Sequence, residues 1–187
     1  MPMAANKSVR IGFRMHTGWA MLVAVSGDKV LRRCRVELYP ARGRFVYHEA
    51  AELELPEAAE LVAAVRGIVL ENAFTALGGA IQGLKVSGAR IPTGSTVLPD
   101  DLAAILRSHP RIHAAEGALY AGAIAAACEQ LEIPVITVRE RDVWTRAAAG
   151  IGLPEVQLRS QVDAIRKSLG PPWTADHKIA TAAAMIR

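Results

Sequence analysis

Between Val9 and Tyr39 the apolar positions either alternate with polar ones or run together, in the stretches VRIGFRMH, GWAMLVAVS and KVLRRCRVELY. This pattern predicts three β-strands. Ser26-Gly27-Asp28 supplies the turn chemistry of a hairpin, and Thr17-Gly18 marks another reversal, so the chain is expected to open as an antiparallel meander. Residues 40–54 hold Pro40, Gly43 and several charges and read as a loop with a short extension around Phe45–His48. Pro56, Glu57 and Glu60 open a helix that follows Leu61, Val65, Ile68, Val69 and Phe74 to about Leu77, where GGAIQG is expected to break it. LKVSGARIP is then a short strand ending at Pro92.

After the loop Pro92-Thr93-Gly94-Ser95-Thr96, Asp100 and Asp101 start a short helix, and an alanine-rich helix, HAAEGALYAGAIAAACEQLE, follows. Gly117 and Gly122 within it predict close approach of a neighbouring backbone. Ile133–Val138 reads as a compact strand and RERDVWTRAAAG as a helix. EVQLRSQVDAIRKSLG places Val162, Ile165 and Leu169 on one helical face, and Thr174 caps a closing helix, DHKIATAAAMIR, after Pro171-Pro172. The later strands must be joined by crossovers and therefore lie parallel to a neighbour. The expected architecture is α/β: a mixed five-stranded sheet, with an antiparallel three-strand meander followed by two parallel crossover strands, flanked by helices.

The 187 residues, 51% of them hydrophobic and 21% charged, suit one globular domain spanning 1–187 and exclude a disordered or fibrous chain. Cys34 and Cys128 cannot form a disulfide framework or a zinc motif and read as buried reduced thiols. No uninterrupted apolar run reaches the roughly 18–20 residues of a membrane helix, and MPMAANKSVRIG lacks the features of a signal peptide. The expectation is a cytoplasmic protein with no membrane partner, in which the Asn6-Lys7-Ser8 sequon is accidental.

Charge alters this picture locally. Residues 1–50 carry 9 Lys/Arg against 3 Asp/Glu, whereas 51–187 carry 13 against 15. Arg32, Arg33, Arg35, Arg42 and Arg44 concentrate planar donor forks in one region, a footprint for phosphates. The alternative reading is a strand edge protected by charge. Trp19, Trp144 and Trp173 lie far apart and form no evident stacking platform for single-stranded bases.

Ile11-Gly12-Phe13 leading to Thr17-Gly18-Trp19-Ala20, the segment EGALYAGAIAAACEQLEIPVITVRERDV, and Gln161-Val162 to Leu169-Gly170 followed by Ala175-Asp176 are similar, in that order, to stretches of RuvC-type Holliday junction resolvases. The resemblance covers most of the chain loosely and implies the ribonuclease H-like fold. It also implies two-metal phosphodiester hydrolysis, which needs several carboxylates converging on ions about 3.5–4 Å apart. The residues depart from that requirement. Arg14 stands where the family has its first-strand Asp, Val86-Ser87-Gly88-Ala89-Arg90 offers no acid, and only Asp176 of the closing helix matches, with Ile179 three residues on.

The resemblance places Arg14, His16, Asp176 and His177 together in a degenerate site, with Arg14 and Asp176 as an ion pair in place of the metals. An alternative is a transition-metal site of His16, Asp176 and His177. Asp176 also has a bland explanation in the dipole of its own helix. His48, His109 and His113 show no constellation and read as surface or capping residues. Ser26-Gly27-Asp28-Lys29 matches Ser-x-x-Lys only nominally, since it falls in a turn. The PTGST loop is at most an anion nest, and Cys128 reads as core packing.

Three functions follow as expectations. The first is a noncatalytic ribonuclease H-like protein that binds nucleic acid, DNA in particular, through Arg32–Arg44, without a cofactor and as a homodimer. The second is a structural or protein-interaction role without nucleic acid. The third is a Mg- or Mn-dependent nuclease with a relocated acidic site drawing on Glu116, Glu140 or Asp142.

Overall fold

The computed structural model describes residues 8–187; Asn6 and Lys7 of the sequon, and the first residues of the opening segment, lie outside them. Three strands, β1 (Val9–His16), β2 (Trp19–Ser26) and β3 (Lys29–Glu37), form the expected meander. Gly27, at φ 64°, and Gly18, at φ 85°, occupy the two tight turns, where a left-handed backbone favours a residue without Cβ. β4 (Val86–Thr93) adds parallel to β1, and β5 (Val135–Arg139) parallel to β4, giving the order β3-β2-β1-β4-β5.

Helices cover both faces. α1 (Val46–Ala50), α2 (Leu55–Ile81), α3 (Leu102–Leu106) and α4 (His109–Gln130) lie on one side. A 3-10 turn (Glu140–Asp142) leads into α5 (Val143–Ile151), followed by α6 (Glu155–Ala164), α7 (Arg166–Leu169) and α8 (Ala175–Met185), which pack on the other. The strand period explains the two cores. Ile11, Phe13, Ala20, Leu22 and Ala24 enter the core under α2 and α4, while Met21, Val23 and Val25 enter the core under α5 and α8. β2 is buried on both faces and so reads as a continuous apolar run.

Three elements depart from the expectations. Phe45–His48 is not an extension but the start of α1, which buries Val46 and Ala50 completely. Tyr120 Oη donates to the Arg44 carbonyl at 2.7 Å and fixes the entry to this short helix. α2 does not break at Gly78-Gly79 but runs 27 residues to Ile81, because the packed face through Val69, Ala73 and Leu77 carries it past them. By length and composition α2 is apolar enough to cross a membrane, and only 22% of its most apolar 18-residue stretch is buried. Thus the lack of an uninterrupted apolar run does not by itself set it apart from a spanning helix. Finally, Gly117 and Gly122 have nothing within 4 Å of a built Cβ, so they mark an open groove instead of a close backbone approach.

The close approach lies at Gly12. A Cβ built there would overlap the Ala180 carbonyl oxygen and the Ala184 amide nitrogen and lie 3.0 Å from Ala184 Cα. Only glycine lets α8 rest directly on β1. Gly12→Ala is expected to lower stability by about 3 kcal/mol or more, since backbone must shift. Gly78→Ala, with open space around it in a helix interior, is expected to raise stability by about 0.5–1 kcal/mol. Urea unfolding of both variants reads the contrast; destabilisation at residue 78 equal to that at residue 12 would contradict it.

Candidate functional site

The register of α8 on β1 decides what meets at the end of the strand. Asp176, in the first turn of α8, accepts a hydrogen bond from His16 Nε2 at 3.0 Å on Oδ1. Arg14 Nε lies 3.8 Å from the same oxygen, and the Arg14 guanidinium makes its close ion pair with Glu140. The expected pair with Asp176 is therefore the looser of two. The His16 ring stacks on Trp19, with centroids 4.0 Å apart and planes at 6°. On the β3 side of the same indole the Arg35 guanidinium sits 3.9 Å from the ring centroid, and it also pairs with Glu37. Arg35, Trp19, His16, Asp176, Arg14 and Glu140 form one row across the sheet end.

Nothing in this row fits two divalent ions. Arg14 puts a permanent cation between the two carboxylates that could converge, and each already has a cationic or N–H partner. On β4, in the segment where the resemblance implies an acid, Arg90 is 8% exposed and donates from Nε to the Ile186 carbonyl at 3.1 Å. It has no carboxylate within ion-pair distance among the described residues. Burial and the nearby charges of Arg10 and Arg146 hold its guanidinium below the usual arginine range.

His177 does not join the row. Its Nδ1 accepts from the Thr174 amide at 3.1 Å and lies 2.8 Å from the Thr174 hydroxyl, closing a capping box at the start of α8, and its ring stacks on Trp173. A metal site of His16, Asp176 and His177 is not assembled. The relocated acids do not converge either. Glu140 holds Arg14, Asp142 pairs with Arg139 at 2.8 Å and Arg141 at 3.7 Å, and Glu116 is buried with His48.

The five arginines of the basic segment do not share one surface, because neighbouring residues of β3 point to opposite faces. Arg32 donates to the carbonyls of Ala80 and Gln82 at the end of α2. Arg33, on the other face, reaches the carbonyls of Leu169 and Gly170 at 3.2 and 3.1 Å and lies over Trp173. Both clasp the C-terminal ends of helices, satisfying carbonyls that a helix leaves unpaired. Arg35 and Arg42 remain exposed, while Arg44 is half-buried beside Phe45.

The residue pattern also conceals the role of Trp19, which becomes visible only as the cross-strand neighbour of His16. It conceals a meeting of His48, His109 and His113, whose ligand atoms lie within 4.8 Å of one another. Their reading as unrelated surface residues is corrected by the packing of α1 on α4. Cys128 is fully buried, and burial pushes its thiol up to about 12, so it is no nucleophile.

The fold is the ribonuclease H-like one, shared with solved structures of RuvC. The chain is similar to Thermus thermophilus RuvC in complex with a Holliday junction substrate, at 15% identity over 95% of this chain and 90% of that one, with a TM-score of 0.51. It is similar to a second T. thermophilus RuvC structure at 13% identity, over 95% and 91% of the two chains, with a TM-score of 0.50. No protein-family model matches the chain, and no curated protein matches it. The expected fold class, a mixed five-stranded sheet with an antiparallel meander and two parallel strands flanked by helices, is thus borne out.

Two consequences can be measured. A double-mutant cycle of Arg14→Ala and Glu140→Ala is expected to give a coupling of about 0.5–1 kcal/mol, larger than that of Arg14→Ala with Asp176→Ala, as suits half-exposed pairs. Additivity of the first pair would remove Arg14 as the organiser of the row. Burial, followed by the Arg33 charge, pushes the His177 imidazole below its ordinary value near 6.5, against the opposing pull of Asp176. The unfolded chain therefore takes up the proton first, and stability is expected to fall as pH drops below about 6.5 toward the folded-state value. Urea midpoints between about pH 7.5 and 5.5 should show this slope, and His177→Asn should flatten it.

Proposed function

We propose that the protein is a noncatalytic ribonuclease H-like protein that binds nucleic acid, DNA in particular. The observation that carries the reading is Arg14 with its carboxylate partners at the end of β1, where hydrolysis would require metal ions. The likeness to a resolvase bound to a junction substrate supports a nucleic-acid partner. The cationic contacts are assigned to Arg35, Arg42 and Arg44, since Arg32 and Arg33 are engaged with backbone carbonyls. The stack on Trp19 holds the Arg35 guanidinium plane in place, and a phosphate would take over from Glu37 the Nε and Nη2 donors of that exposed pair.

A protein-interaction role, including self-association as a homodimer, is the second reading. It is favoured by α2, on which Ile68 and Phe74 are 46% and 41% exposed.

Fluorescence anisotropy of labelled four-way junction, duplex and single-stranded DNA across a salt series, with manganese present and products resolved on a gel, tests the proposal. Duplex affinity is expected to fall with salt at a slope of about 0.9 per phosphate contact. Arg35→Ala with Arg42→Ala is expected to weaken binding about tenfold and lower that slope by about two. No binding of any form at low salt would overturn nucleic-acid binding in favour of the second reading. Manganese-dependent cleavage would overturn the noncatalytic part.

A further inference from the structure

We propose that His48, His109 and His113 form a binding site for a zinc-class divalent cation, separate from the row at the end of β1. α4 opens with His109 and His113, one helical turn apart, and their Nε2 atoms lie 3.0 Å from each other. α1 brings in His48, so that one nitrogen from each of the three rings falls within 4.8 Å of the others. Two imidazole nitrogens bound to a tetrahedral zinc at about 2.0–2.1 Å are separated by roughly 3.3 Å, so a small closing movement of His48 completes the set. The rings meet edge to face, with centroids 4.5, 4.7 and 5.3 Å apart, and do not stack.

The second observation is Glu116. It is 1% exposed, lies one turn beyond His113 on α4, and its Oε1 is 2.8 Å from His48 Nδ1. An ionised carboxylate only accepts, so Nδ1 carries the proton and Nε2 keeps its lone pair for a ligand. This is the carboxylate–histidine arrangement that orients metal ligands and raises their basicity. His48 is also the only ion-pair partner of Glu116 among the described residues. A buried carboxylate whose one ion-pair partner is a histidine gains its counter-charge when that histidine binds a dication.

The donor set specifies the ion. Three neutral imidazoles suit Zn²⁺, and also Co²⁺, Ni²⁺ or Cu²⁺, but not Mg²⁺. His109 and His113 are exposed, so a fourth position is open to water. His113 also lines the groove of about 400 Å³ between α4 and the ends of β4 and β5, which Glu140 lines too. A metal-bound water would therefore stand at the edge of that groove.

Stripped protein is titrated with Zn²⁺ by calorimetry and with Co²⁺ by visible absorption and proton NMR. The expected result is one equivalent of Zn²⁺ bound at micromolar Kd or tighter, a higher thermal midpoint, and the intense visible bands of tetrahedral Co²⁺. Shifted N–H resonances from three imidazoles should accompany the cobalt form. His109→Ala with His113→Ala, both exposed positions, should keep the native circular dichroism and lose affinity by roughly a hundredfold or more. Glu116→Gln should weaken binding by about tenfold. No zinc uptake by the wild-type chain, unchanged binding in the double variant, or cobalt resonances from other than three histidines would each overturn the site.

Discussion

The contact of α8 with β1 at Gly12 is the constraint on which the site depends. Because the helix backbone rests on the strand backbone, α8 can occupy only one height and one register over β1. From Gly12 to His16 the strand advances about 13 Å, and from the Ala180–Ala184 contact back to Asp176 the helix covers about 9 Å. These lengths bring Asp176 to the level of His16 and Arg14, and the polar row is completed by residues on β2, β3 and the turn after β5. A side chain at residue 12 would act on chemistry located more than a helical turn away.

Arginine has three separate physical roles here. Arg32 and Arg33 close helix ends by satisfying carbonyls, Arg14 neutralises carboxylates, and Arg35 lies on an aromatic face. Of these four only Arg35 is exposed. A cluster of like charge in sequence is thus divided by the strand period into structural and available groups.

Legibility in the sequence followed how local each determinant was. Gly27-Asp28 and Thr17-Gly18 marked the hairpins because turn chemistry is written in two residues. The passage of α2 through Gly78-Gly79 was not legible, because a local penalty of about 1 kcal/mol per glycine was outweighed by packing that only the folded chain displays. Arg14, His16 and Asp176 could be placed near one another through the resemblance, but Glu140 as the partner of Arg14 could not, since a charge pair leaves no spacing. The splitting of Arg32 from Arg33 was legible in principle from alternation alone. His109 and His113 carried an i,i+4 signal, whereas His48 lies some sixty residues earlier on a helix of five residues that the loop-like composition around Pro40 and Gly43 concealed.

The pairing of Arg14 with two carboxylates makes residue 14 hard to exchange in either direction. An acid at that position would set three negative groups against one another unless dications were already present, and the arginine repels those same dications. The arginine form carries its own counter-charge, which frees the folded state from the metal content of its surroundings.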